Sequence, residues 1–239
     1  MGILFLVRHA QASFLAENYD KLSPLGEQQS RALGEYWSQR KLNFDRVAVG
    51  PCIRQKDTAQ IVVAAYRQAG QPFPEPQIIP EFDEYQAEEV LKHTLPRLLE
   101  TDENIAHLHA AFKSSTASPE QRSTFQKLFE AVISQWVSGK LSPQGVESWQ
   151  EFRARVNSGL NKFLTPTKRG ERVAIFTSGG PIATAMQRAL NLSDEATLGV
   201  SWMSQNSSWS EFLYSTNRFT LSSFNSHAHI EDPAMLTYR

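Results

Sequence analysis

The sequence predicts an α/β protein in which a mainly parallel sheet carries helices on both faces, with one helical insertion. Short continuous apolar runs alternate with helical periodicities from the first residues to about position 190, the pattern of strands that are covered on both faces and joined by crossover helices. Two of these runs, 46–50 and 172–177, pass through a small turn directly into a helix, and a third, Ile3 to Val7, ends on Arg8 and His9. Residues 86 to 140, by contrast, read as helix almost throughout, which sets them apart as an insertion or cap.

The elements follow in chain order. Ile3 to Val7 is a buried strand, and Ser23-Pro24 supplies an N-cap and a first-turn proline for a helix to about Gln39. "RVAVG" (46–50) is the second strand. "PCIRQKDTAQIVVAAYRQA" continues as a helix with Ile53, Ile61, Val62, Ala65 and Tyr66 on one side, which puts Arg54 in its first turn. The proline-rich "GQPFPEPQ" (70–77) breaks that helix before a short extended "IIPEF", beyond which Glu81 and Asp83 emerge. Within 86–140, "SPEQ" at 118–121 reads as a capping box, and Phe125, Leu128, Phe129, Val132 and Trp136 recur at helical spacing. Val146, Trp149, Phe152, Val156, Leu160 and Phe163 mark another amphipathic helix, and its aromatic stripe reads as core. "RVAIFTSGGPIATAMQRAL" (172–190) is a strand, a small polar turn and a helix begun by Pro181. "WSEFLYS" and "RFTLSSF" form a hairpin around Thr216-Asn217.

Composition narrows the function classes. With 239 residues, 41% of them hydrophobic and 21% charged, the chain is long enough to bury a substantial core as one domain, 1–239. A formal charge of −1 gives no global attraction to nucleic acid or an anionic membrane, so any anion site is local. The single cysteine, Cys52, excludes an intrachain disulfide and a zinc cluster of cysteines, and reads as a packed thiol. The apolar start is too short for a signal core, and no run approaches the roughly 20 apolar residues that span a bilayer. A cytoplasmic location is expected.

Three strand ends therefore deliver Arg8 with His9, then Arg54, then Ser178 with Gly179. Ligands bind at the carboxyl ends of strands in open parallel sheets. Two guanidiniums there suit a phosphoryl group, because each offers a planar fork of donors to its oxygens. The amides around Gly179 and Gly180, at a helix start, form a second anion cradle. Beside two arginines, His9 keeps one ring nitrogen unprotonated at neutral pH and can attack phosphorus, giving a phosphohistidine that water hydrolyses. A carboxyl group must then protonate the leaving oxygen. Glu81 is the best-placed candidate, with Asp83 and Glu84 as rivals. No metal and no other cofactor is expected. His107-x-His109 falls in a helical stretch that separates the two rings, and His227-x-His229 lacks an acidic partner at zinc spacing. His229 is also weighed as an imidazole that could point into the pocket.

"LVRHAQASF", with "LSPLGEQQSRALG" and "GPCIRQKDTAQ", resembles the histidine phosphatase superfamily, the phosphoglycerate mutase-like proteins. "IIPEFDEY" is similar to the segment that carries the acid in that family, and "SSFNSHAHI" to its closing motif. The resemblance implies a phosphoglycerate mutase-like fold, with His9 as phosphorylated nucleophile, Arg8 and Arg54 as phosphate clamps and Glu81 as proton donor. Ala10 stands where the family has glycine, a mild change if the local φ is negative. "FTSGG" stands where the family has a Ser-His-Gly-Gly sequence, so Ser178 takes the place of a second histidine. Loss of such a donor costs about 2.7–4 kcal/mol, which donation from Ser178 and the Gly179 N–H would soften.

The expected function is phosphomonoester hydrolysis, through phosphohistidine, of a small phosphorylated substrate. Two alternatives stand beside it. Ser178 keeps open a weak or inactive pseudophosphatase that binds a phosphate ligand or a protein. A phosphoglycerate-type mutase is the neighbouring enzyme reading, although the segment after His9 lacks the Trp-Asn-rich stretch of those mutases.

Overall fold

In the computed structural model, which describes residues 1–13, 20–116, 118–165 and 168–238, six strands form one sheet in the order β3-β2-β4-β1-β5-β6. These are β1 (Gly2–Arg8), β2 (Arg46–Val49), β3 (Gln77–Ile78), β4 (Arg172–Thr177), β5 (Trp209–Ser215) and β6 (Arg218–Ser226). β3, β2, β4 and β1 run parallel, whereas β5 and β6 are antiparallel and close the far edge as the expected hairpin. The sheet is thus mixed but mostly parallel. The "IIPEF" segment is less extended than its β-branched residues predict, because Pro80 starts a 3-10 turn, Pro80–Phe82, immediately after β3.

The chain divides into two compact units, Met1–Glu84 with Arg153–Arg239, and Tyr85–Phe152. In the first, α1 (Pro24–Gln39) begins as its sequence dictates: Ser23 Oγ accepts from Gly26 N–H, and Pro24 needs no partner for a missing donor. α1 packs on α2 (Ile53–Gln68) through Gly34, where a Cβ would lie 2.6 Å from that of Ala65. Phe5, Val7, Val47, Val49 and Phe176 face this pair from the sheet. Trp37 is the centre of the layer, with ring centroids 5.1 Å from Phe44, 5.7 Å from Trp209 and 6.0 Å from Phe5. Leu4 and Leu6, of the opposite parity, are buried too, so β1 is covered on both faces as its unbroken apolar run requires.

The second unit holds α3 (Ala87–Thr101), α4 (Glu103–Ser114), α5 (Ser118–Val137) and the start of α6 (Trp149–Phe163), and so contains the helical stretch expected over 86–140. Asp102 separates α3 from α4 by accepting from the Asn104 and Ile105 N–H groups. Tyr85 stacks on Trp136, and Trp136 meets Trp149 edge-on at 5.7 Å, which makes this aromatic stripe a core. The capping box expected at Ser118 lies outside the described side chains. The first unit is completed by α7 (Gly179–Leu190) and α8 (Asp194–Met203). α7 starts two residues before the expected Pro181, with Ser178 at its N-cap. No helix among the described residues is long and apolar enough to cross a membrane.

Truncating the central ring should be costly: Trp37→Ala is expected to lower unfolding stability by about 3–5 kcal/mol, and Trp37→Phe by much less, read from urea denaturation midpoints. Equal midpoints for Trp37→Ala and wild type would remove Trp37 from the centre of the core.

Candidate functional site

Because β1, β2 and β4 are parallel neighbours, their carboxyl ends open on one edge of the sheet. Arg8 lies in register with Thr177, and His9 N–H donates to Thr177 O at 2.8 Å, which seats His9 beside Ser178. The first turns of α2 then close on the loop after β1. Ala10 N–H donates to Thr58 Oγ1 at 3.1 Å, and the Thr58 hydroxyl donates to Arg54 O at 2.7 Å. Ala10 keeps a φ outside the left-handed region, so the absence of glycine there carries no strain.

His9 is buried, and its two ring nitrogens are distinguished by their partners. Arg54 Nε can only donate, so His9 Nε2, 3.1 Å away, accepts and carries no proton. The proton resides on Nδ1, which donates to Ala10 O at 2.8 Å. Burial, then the Arg54 charge, then the Arg8 charge hold the pKa well below the ordinary 6.5, against a smaller opposing pull from Ala10 O. The imidazole is therefore neutral at physiological pH, with a lone pair on Nε2.

The two arginines are held differently. Arg8 Nη1 donates to Ser204 O, and a Cβ built on Gly179 would lie 3.9 Å from Arg8 Cζ, so this guanidinium lies against the start of α7. Arg54 Nη1 pairs with Asp20 Oδ1 at 2.7 Å, while Asp20 Oδ2 accepts from Ile53 N–H at 2.8 Å and caps α2. Arg8, His9, Arg54, Ser178 and Gly179 are thus brought to one strand-end edge. The donors of the guanidiniums suit an anion. Among the described residues no group of three or more His, Cys, Asp or Glu side chains is gathered for a metal ion.

Ser178 is fully buried, and its Oγ accepts from Gln55 Nε2 at 2.7 Å. Gln55 is equally buried, and its Oε1 accepts from Cys52 N–H while pressing on Gly50, where a Cβ would lie 2.1 Å away. At the adjacent helix start, Gly180 N–H donates to Glu84 Oε2 at 3.1 Å. The second cradle therefore already holds a carboxylate.

The three candidate acids separate clearly. Glu81 turns to α6: its Oε1 pairs with Lys162 at 2.7 Å, and that bond holds its carboxyl below the ordinary carboxylate range. Asp83 Oδ1 accepts from the Cys52 thiol at 3.0 Å and from Glu84 N–H at 2.8 Å. Glu84 alone of the three bonds to the start of α7 in this geometry. The 3-10 turn explains the outcome: Thr177 Oγ1 donates to Phe82 O at 2.7 Å and fixes the segment beside β4, so the side chain that follows the turn, not the one within it, points along the strand ends.

Cys52 is no nucleophile, since burial above all pushes its thiol up to about 12. His229 does not stand in for a second imidazole at Ser178. Its Nε2 bonds to Ser207 Oγ at 2.9 Å, it packs on Tyr36 and Trp209, and burial first and then His227 lower its pKa to about 3. Ser207 in turn adopts a left-handed φ of 61° and donates its N–H to His9 O at 3.2 Å, which supports the His9 backbone from behind. Asp20, Gln55 and Glu84 gain their places only through tertiary contacts. Thr58, within the quoted "DTAQ", had a sequence signal in its one-turn spacing from Arg54.

The protonation state is directly measurable. In a 15N-histidine NMR titration His9 should remain a neutral Nδ1–H tautomer from pH 8 down through its ordinary 6.5, protonating only at lower pH, because burial and both arginines oppose the imidazolium. A titration midpoint at or above 6.5 would contradict this electrostatic picture.

Comparison with known proteins identifies the family and the fold. The sequence profile of the histidine phosphatase superfamily (branch 1) matches residues 4–138 and 119–227. No curated protein sequence matches the chain. Among solved structures the fold is similar to a mycobacterial glucosyl-3-phosphoglycerate phosphatase, at 18% identity, 96% coverage of this chain and 99% of the other, and a TM-score of 0.63. A phosphoserine phosphatase from Entamoeba histolytica gives the same four values. A phosphoglycerate mutase from Bacillus anthracis is similar at 15% identity, 95% and 94% coverage and a TM-score of 0.60. With well over half its length matched by the profile and its sheet and helices shared with these enzymes, the chain belongs to the histidine phosphatase superfamily.

Proposed function

We propose that this protein hydrolyses a small phosphomonoester through a phosphohistidine on His9. The observation that carries the reading is the unprotonated Nε2 of a buried, neutral His9, oriented by Nδ1–H on Ala10 O and flanked by two arginines. Arg54 Nε gives up its bond to Nε2 as the phosphoryl group arrives, and turns its donors to the phosphoryl oxygens with those of Arg8. The Nε2 lone pair forms the N–P bond while the bond from phosphorus to the ester oxygen breaks. Negative charge on that oxygen is neutralised by a proton from a carboxyl group. We assign this role to Glu84 in place of Glu81: Lys162 keeps Glu81 ionised, whereas the arriving phosphoryl group, by taking the Gly180 N–H from Glu84, sets a like charge beside its carboxyl and favours the protonated form that donates. The same carboxylate then takes a proton from the water that attacks phosphorus, and His9 and inorganic phosphate are released.

One observation favours a weaker enzyme or a phosphate-binding protein. Asp20 already engages Arg54 and Glu84 already engages the Gly180 amide, so an arriving phosphate competes with two carboxylates. We also place Ser178 at the position of the family's second histidine. Its hydroxyl, held by the Gln55 amide, retains a proton to donate but brings no charge.

His9→Ala should abolish both the acid-labile phosphoenzyme and hydrolysis of an aryl phosphate. Glu84→Gln is expected to lower kcat by about 10²–10⁴, and Glu81→Gln to leave it near the wild-type value. Turnover by His9→Ala would end the phosphohistidine reading, and the reverse order of the two glutamate variants would return the acid role to Glu81. The Ser178–Gln55 pair generates a second prediction: Ser178→His alone gains nothing, because Gln55 and Gly50 leave no room for a ring, whereas Ser178→His with Gln55→Ala tightens vanadate binding. Calorimetric titration with vanadate checks it, and an equal gain in the single variant would show that Gln55 does not occupy that space.

A further inference from the structure

The last described residues belong to a segment that contributes little to the core. Glu231, Asp232, Pro233, Ala234 and Tyr238 are exposed, and Met235 to Thr237 are only partly covered. Yet hydrogen bonds from this segment converge on two buried amides beside the nucleophile. Gln29, on α1, donates from Nε2 to Met235 O at 2.7 Å and to Thr237 Oγ1 at 2.9 Å. Asn206 donates its backbone N–H to Thr237 O at 2.8 Å and accepts from Thr237 Oγ1 at 3.0 Å. Both amides then turn to the loop after β1: Gln29 Oε1 accepts from Gln11 N–H at 2.8 Å, and Asn206 Nδ2 donates to His9 O at 3.3 Å.

The Ala10 carbonyl and the Gln11 N–H belong to one planar peptide unit. That carbonyl receives the His9 Nδ1 proton and so decides which ring nitrogen is bare. The orientation of the plane is set on its other side by Gln29 Oε1. Gln29 cannot turn its amide over, because its nitrogen faces two acceptors and its oxygen faces a donor. We propose that Thr237 and Gln29 are positioning residues: through the Ala10–Gln11 peptide they hold His9 in the tautomer that exposes Nε2. Loosening of the plane removes the acceptor from Nδ1 and admits the tautomer with its proton on Nε2, which has no lone pair for phosphorus and meets the Arg54 donor head-on.

The kinetic part of this inference rests on the proposed phosphohistidine chemistry, but its structural part does not, and the experiment separates them. Thr237→Val keeps the side-chain shape and removes the hydroxyl. In 15N-histidine spectra its His9 signals, assigned with His9→Asn, are expected to move from a single Nδ1–H tautomer toward a mixture. With an aryl phosphate its kcat should fall about three- to tenfold, the worth of one hydrogen bond, while KM stays unchanged. Thr237→Ser should restore both. A chain ending at Leu236 should show the same tautomer shift by loss of the whole residue. Wild-type His9 signals in Thr237→Val and in the shortened chain would overturn the proposal, as would a fall in thermal stability with no change of tautomer. If wild type hydrolyses no phosphomonoester, the phosphatase reading fails, and the spectra alone still decide the positioning role.

Discussion

The structure turns on a neutral imidazole held against two guanidiniums. Such an arrangement tolerates only one protonation state, since a charged ring would be buried against Arg8 and Arg54. To present Nε2 rather than Nδ1, the ring needs a fixed acceptor on its other side, and a backbone carbonyl one residue away supplies it. Much of what surrounds the site meets that demand. Thr58 holds Ala10 N–H, Gln29 holds Gln11 N–H, and Ser207 and Asn206 hold His9 O, so each peptide unit of the turn is tied to a different element. A turn bonded at one point could rotate about that bond, and this one is bonded at every unit.

Charge balance follows from the same crowding. Two arginines that converge on a buried edge repel one another unless anions intervene, and the described structure supplies Asp20 to Arg54. Glu84 takes the helix start, where the free N–H and the dipole favour negative charge. Both carboxylates stabilise the site as it stands, and an anion arriving at this edge has to compete with them. Affinity for an anion at such an edge is a difference between two sets of hydrogen bonds rather than the sum of one set. Ser178 fits this accounting: a neutral hydroxyl next to a neutral amide leaves the charge of the edge to the arginines and their partners.

The sheet was legible because its signal is local. Unbroken apolar runs in β1 and β4 require cover on both faces, and parallel alignment of those runs brings Arg8, His9 and Ser178 to one edge. Arg54 was legible from its place in the first turn of α2. The acid was not. Glu81, Asp83 and Glu84 differ by one to three residues, and what separates them is a 3-10 turn whose orientation depends on a bond from Thr177, almost a hundred positions away. Asp20 and Gln55 were missed for the same reason. A carboxylate that caps α2 while pairing with Arg54, and an amide that reaches across to Ser178, leave no periodicity in the chain.

His229 shows the opposite error. A histidine near the closing strand offers an imidazole to a strand-end edge that carries Ser178, and chain position cannot tell the front of His9 from the back. The structure puts His229 behind the His9 backbone, bonded to a serine that holds a left-handed conformation. That conformation costs roughly 1–2 kcal/mol for a residue with a Cβ. It persists because it aims the Ser207 N–H at His9 O, and because the Ser207 hydroxyl is engaged by both His229 and the carbonyl of Gln29. The ring therefore acts on the site without facing it. It stabilises a strained turn, the turn holds a peptide, and the peptide carries His9.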